Sequence, residues 1–167
     1  MNATLLNQDG IDFGFDIPAE VDTLLQDAIQ NYHNTERAER TLWHAYEKAP
    51  ECLGVYIALY KFYFTKKQIE QAEQVALIGL DEAARQGGFI NDWRKLTLQS
   101  TDWSGVTSPQ RFFLYTLKAL AFIRLRLGKL DSARAVLTKL AELDPDDKVG
   151  SSVIADLAMG VAEAGHG

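Results

Sequence analysis

From Pro18 onward, apolar residues recur at helical spacing with few interruptions. Val21, Leu24, Leu25, Ala28, Ile29 and Tyr32 make one stripe, and Ala38, Leu42, Ala45 and Tyr46 make a second. The polar turn HNTE separates them, and Pro50 ends the pair. Tyr56, Leu59, Tyr60 and Tyr63 follow, then the turn KKQ, then Ile69, Ala72, Ala76 and Leu80. The clearest stretch is Leu114 to Asp146. Its apolar first half runs to Leu127, Gly128 interrupts it, and Leu130, Ala133, Val136, Leu137, Leu140 and Leu143 continue the helical period until Asp144-Pro145 stops it. Gly128 suits a tight helix-helix turn, and Asp131 is placed to cap the helix that follows. A last stripe of Val149, Val153, Ile154, Leu157, Ala158 and Val161 predicts a terminal helix over about 149–164.

Two stretches break the helical pattern. In IDFGFDIP, Ile11, Phe13, Phe15 and Ile17 alternate with Asp12, Gly14 and Asp16, the period of an extended strand with one apolar edge. This predicts an extended arm over 1–17. Three fates are open to it: a loose tail, an arm packed on its own domain, or an arm given to a neighbouring subunit. The second break spans about 87–111, with a turn at Gly87-Gly88, a short helix near Asp92 to Leu98, and a Ser108-Pro109 start signal for the next helix. Trp93 and Trp103 within it are either plugs of the core or an aromatic contact surface.

The helical hairpins repeat. Ala38 and Ala72 are 34 residues apart, whereas Ala72 and Ala133 are 61 apart, so an insertion separates the last two units. Leu117, Leu120, Ala121, Ala133, Leu137 and Pro145 stand at the set offsets of a tetratricopeptide repeat, which this segment resembles. Aliphatics replace the usual aromatics, and Arg124 stands where an aromatic is usual. The resemblance implies an all-α fold: a right-handed superhelix of about three hairpins, over units of about 19–52, 53–86 and 114–147, closed by a capping helix.

Composition narrows the functions. A formal net charge of -6 and a pI near 5.0 leave no basic footprint for nucleic acid. No apolar run is long enough to span a bilayer, and MNATLLNQDG lacks the basic and apolar regions of a signal peptide, so a cytoplasmic location is expected. The single cysteine, Cys52, allows no internal disulfide and no multi-cysteine metal site. With three histidines, no Glu-x-x-His pairs on two helices and no Gly-rich phosphate loop, neither a metal nor a catalytic site is expected, and no cofactor.

What remains is surface. In the family that the chain resembles, the first helix of each unit lines a concave groove that holds a peptide or protein segment. Carried over, that groove comprises Ile57, Lys61, Phe64 and Thr65 in the second unit and Lys118, Phe122, Leu125 and Arg126 in the third. Two aromatics with three cations suit an acidic, apolar ligand. The groove lacks the Asn of the family's chaperone-binding version, whose carboxylate capture is therefore not expected. The expected function is a non-enzymatic protein-binding module, with self-association through the N-terminal arm or the terminal helix as a further expectation. The arm IDFGFDI has the composition of such a ligand itself. Two rivals remain. One is a secretion chaperone resembling the class II type III secretion chaperones; the other is a helical enzyme or ligand-binding protein with a deep pocket at Asp92, Trp93, Asp102 and Trp103.

Overall fold

The computed structural model describes residues 16–105 and 108–166, the side chains of 161–166 excepted. The regular elements among them are helical: α1 (Ala19–Gln30), α2 (Thr35–Lys48), α3 (Leu53–Thr65), α4 (Ile69–Gly87), a 3-10 turn (Trp93–Lys95), α5 (Pro109–Arg126), α6 (Leu130–Leu143) and α7 (Ser151–His166). The predicted arm lies outside the described residues, apart from Asp16 and Ile17. Each helix packs on the next, and α3 also meets α5 and α5 also meets α7, so that successive hairpins stack.

Punctuation in the sequence sets the helix limits. Asn34 Oδ1 accepts from Arg37 N at 3.2 Å to start α2, and Ser108 Oγ accepts from Arg111 N at 3.1 Å to start α5, with Pro109 behind it. Gly88 ends α4 at φ 73. Asp131 does not cap α6. The N-cap is Lys129, which makes no side-chain cap bond, because the turn before it closes through the backbone.

That turn is built twice. Lys129 N donates to Arg124 O at 2.8 Å and Gly128 N to Leu125 O at 3.0 Å; Gln68 N donates to Tyr63 O at 2.8 Å and Lys67 N to Phe64 O at 3.0 Å. The left-handed residue is Gly128 at φ 78 in one hairpin and Lys67 at φ 65 in the other. Ala38, Ala72 and Ala133, the small residues that mark the period, are all 0% exposed, as close approach of helices requires.

The outer helices bury one stripe each, such as Ala38, Leu42 and Ala45 of α2. α3 is buried almost all round, because it is enclosed by α2, α4 and α5. Residues 88–105 pack against the stack: Leu96 is fully buried, and Lys139 Nζ of α6 donates to its carbonyl at 2.7 Å. The helix predicted near Asp92 is one 3-10 turn only.

Candidate functional site

The residues assigned to the groove divide by burial. Phe64 at the end of α3 and Phe122 on α5 are half-buried, with ring centroids 5.3 Å apart at 47°. The exposed Arg126 lays its guanidinium 5.3 Å over the Phe64 ring, and the half-buried Leu125 neighbours it in sequence. Lys118 Nζ lies 4.7 Å over the Tyr115 ring. Lys61 is half-buried; its carbonyl accepts from the hydroxyl of the exposed Thr65 at 2.7 Å. Helical spacing sets Lys61 and Thr65 four residues apart on α3 and Lys118 and Phe122 four apart on α5, so each helix offers one cation and one neighbour per turn. Ile57 is a correction. It is 0% exposed, because the enclosed helix α3 has no free face at that level, and it cannot touch a ligand.

Beneath this surface the contact between α3 and α5 is sealed. Tyr60 is buried with its hydroxyl 3.3 Å from that of Thr116, itself 0% exposed. Tyr60 is bulky where the repeat pattern expects a small residue, and Thr116 gives its hydroxyl a partner.

Trp93 and Trp103 do not present an aromatic contact surface. Both are buried; Trp103 packs with Phe89 (5.3 Å) and Phe113 (6.2 Å) and donates its indole N–H to Thr97 O at 3.0 Å, while Arg94 covers Trp93 at 4.2 Å. Burying large indoles is what holds an otherwise irregular segment to the stack.

The same segment and the α6–α7 loop flank a cleft of about 320 Å³, lined by Leu98, Asp102, Trp103, Leu143, Asp144 and Lys148 among others. Asp92 and Trp93 are not part of it, and Asp92 faces Lys95 at 3.7 Å. Asp102 is exposed, and the Ser104 hydroxyl and N–H beside it hold its carboxyl below the usual range. Asp144 is buried but spoken for, accepting from Lys148 N and Val149 N at 3.0 Å each. A solvated carboxylate fixed by its own turn is not an acid–base pair, and the four residues of the expected deep pocket are not gathered in one cavity. Among the described residues no group of three or more His, Cys, Asp or Glu could hold a metal ion, and no helix is long and apolar enough to cross a membrane. Cys52 is buried, which pushes its thiol up and away from nucleophilic use.

One cluster escaped sequence reasoning. Glu73 of α4 is buried and takes Arg124 Nε at 3.0 Å and Lys129 Nζ at 3.0 and 3.1 Å, while Arg124 Nη1 donates to Ser132 at 3.0 Å. Arg124 thus replaces the aromatic of the repeat pattern with an ion pair between hairpins. The signal was the out-of-place arginine itself.

A protein of Azotobacter chroococcum mcd 1, described as an uncharacterized 19.8 kDa protein in the nifW 5' region, is 29% identical over 122 residues, covering 72% of this chain and 68% of its own. No protein-family model matches the chain, and no solved structure does.

Proposed function

We propose that this protein is a non-enzymatic binding module of the tetratricopeptide-like class, a short superhelix acting in the cytoplasm, which holds an acidic, apolar protein segment along the C-terminal halves of α3 and α5. The observation that carries the reading is the half-buried Phe64–Phe122 pair under Arg126, with Lys61 and Lys118 on the same two helices. Burying the exposed parts of two phenylalanines contributes about 1 kcal/mol each, enough for affinity when a ligand aromatic completes the cluster. The cations orient the ligand by its carboxylates and add on-rate more than strength.

Capture from the source cell by the intact chain is compared with a Lys61→Glu, Lys118→Glu, Arg126→Glu variant. A dominant partner lost with the charge reversals supports the groove. A partner retained by the variant sinks it. Because the Azotobacter relative is described by its position beside nifW, products of genes neighbouring this chain's own gene are the first partners to test.

A further inference from the structure

We infer that the element read by this groove is an aromatic side chain and a carboxylate on the same side of the partner segment, the ring seated on Phe64 and Phe122 and the carboxylate taken by Arg126. The inference rests on the groove reading and deepens it by naming the chemistry that the partner must present.

Three observations carry it. The first is the state of Arg126. Where α3 and α5 end, Lys66 Nζ donates to Tyr32 O at 2.7 Å, and Arg124 and Lys129 are both held by Glu73. Arg126 is exposed and, among the described residues, has no carboxylate partner; its guanidinium rests 5.3 Å over the Phe64 ring instead. The second is the ring pair. Phe62 and Phe112, on the same two helices, are 0% exposed and belong to the core. Phe64 and Phe122 are only half-buried and stand 5.3 Å apart at 47°, so both keep apolar surface in water, where a third ring can join them. The third is register. Phe122 and Arg126 are four residues apart on α5 and share one face, which sets the cation beside the rings.

The two halves of the ligand depend on each other. A guanidinium over the face of an exposed ring is held weakly, whereas a carboxylate takes it by two parallel hydrogen bonds. An exposed ion pair alone adds little, because water screens both charges. When Arg126 turns to a carboxylate, the Phe64 face is uncovered for the ligand ring, and the ring in turn excludes water from the ion pair. Alternate side chains of an extended segment share a side, so ring and carboxylate are two residues apart in an extended ligand and three or four apart in a helical one.

The test is selection of a random peptide library, displayed on phage, against the full chain and in parallel against Arg126→Gln. Arg126 is exposed, so the variant is expected to keep the fold, with matching thermal melts as the check. Peptides selected by the intact chain are expected to be enriched about fivefold over the starting library in an aromatic with Asp or Glu two to four residues away; those selected by the variant keep the aromatic and lose the acid. One selected peptide is then synthesised with its acid and with the matching amide. The amide is expected to bind the intact chain about tenfold more weakly, and the variant within about twofold of the acid form. A selection that yields no peptide, or peptides without the pair, overturns the inference, and so does an equal loss with both proteins. If it is overturned while partner capture still depends on the three cations, the recognised element is wrong and the groove stands. If the peptides behave as expected while capture ignores the cations, the site stands and the partner from the cell binds elsewhere.

Discussion

Replacing Glu73 by Gln tests how the second and third hairpins are joined. The carboxylate accepts three hydrogen bonds, from Arg124 Nε at 3.0 Å and Lys129 Nζ at 3.0 and 3.1 Å, with its side chain 9% exposed and that of Arg124 14% exposed. A charge-assisted hydrogen bond at such burial contributes about 1.5–3 kcal/mol, whereas the Lys129 contact, 51% exposed on the lysine side, is discounted by solvent to a few tenths or about 0.5 kcal/mol. Glu73→Gln keeps the volume and leaves the Arg124 guanidinium without a counter-charge, so a loss of about 2 kcal/mol is expected. For a chain of this size that is a fall of about 4–8 °C in Tm. Arg124→Met is expected to cost somewhat less, since Lys129 still pairs with Glu73, and the double variant less than the sum, with a coupling of about 1–2 kcal/mol. Urea melts at pH 7 with an unchanged m value provide the measurement. Additive single effects, each under about 0.5 kcal/mol, would refute a structural ion pair. The pH dependence gives a second check. Burial works to raise the Glu73 carboxyl, but the hydrogen bonds and charges of Lys129 and Arg124 outweigh it and hold it below 4.5. A depressed carboxyl contributes stability that is present above 4.5 and is lost as pH falls through the lower folded value, so the gap between wild type and Glu73→Gln should narrow below pH 4.5.

Three further predictions concern stability. Lys67 holds φ 65 in the turn where the other hairpin has Gly128 at φ 78, so Lys67→Gly should raise stability by about 0.5–1 kcal/mol and Gly128→Ala should lower it by about 1 kcal/mol in thermal melts. A Cβ on Gly79 would lie 3.2 Å from Tyr56 Cβ and 3.3 Å from Phe112 Cζ, whereas nothing lies within 4 Å of one on Gly160; Gly79→Ala should therefore cost about 1–3 kcal/mol and Gly160→Ala should stabilise α7 by a few tenths or more. Burial, and then the hydrogen bond to Glu39, push the Tyr63 phenol up to about 12 from 10.0, so its stabilisation is complete below pH 10 and drains as pH rises toward 12. Tyr63→Phe should lose that alkaline dependence while ultraviolet titration shows one fewer high-pH tyrosine.

Helix limits were legible because they depend on residues whose chemistry is local. Ser108-Pro109, Gly88, Gly128 and Asp144-Pro145 act through their own backbone and one hydrogen bond, and each stands at a helix end. Ile57 was not legible for the opposite reason. α3 is apolar on every side, so its sequence carries no inward and outward face from which to rank positions, and only the packing of α2, α4 and α5 around it shows that Ile57 is covered. The tryptophans were ambiguous because an indole serves a core and a contact surface equally well; Phe89, Phe113 and the Thr97 carbonyl, distant in sequence from one another, decide for Trp103. Asp131 matched the composition of a cap, but a turn that already satisfies its backbone leaves a cap nothing to do.

Arg124 and Tyr63 connect these points. They are 61 residues apart, the same shift that separates Ala133 from Ala72, and they hold the same place in the two matching turns. Their partners Glu73 and Glu39 are 34 residues apart, the shift that separates Ala72 from Ala38. Tyr63 donates to Glu39 of the hairpin before it at 2.5 Å, and Arg124 donates to Glu73 of the hairpin before it at 3.0 Å. One donor late in the first helix of a unit thus bonds one glutamate early in the second helix of the preceding unit, at both junctions. The unusual arginine therefore fills, with a stronger donor, a geometry that occurs at both junctions, where the tyrosine is also supported by the Trp43 indole at 2.7 Å. Such a link fixes the rotation of one hairpin on the next, and that rotation decides how Phe64 meets Phe122 across α3 and α5. Weakening the Arg124–Glu73 junction should then loosen the proposed groove without touching any residue in it, a loss in affinity for the proposed partner that a Glu73→Asp variant would only partly avoid, because the shorter carboxylate reaches Arg124 less well.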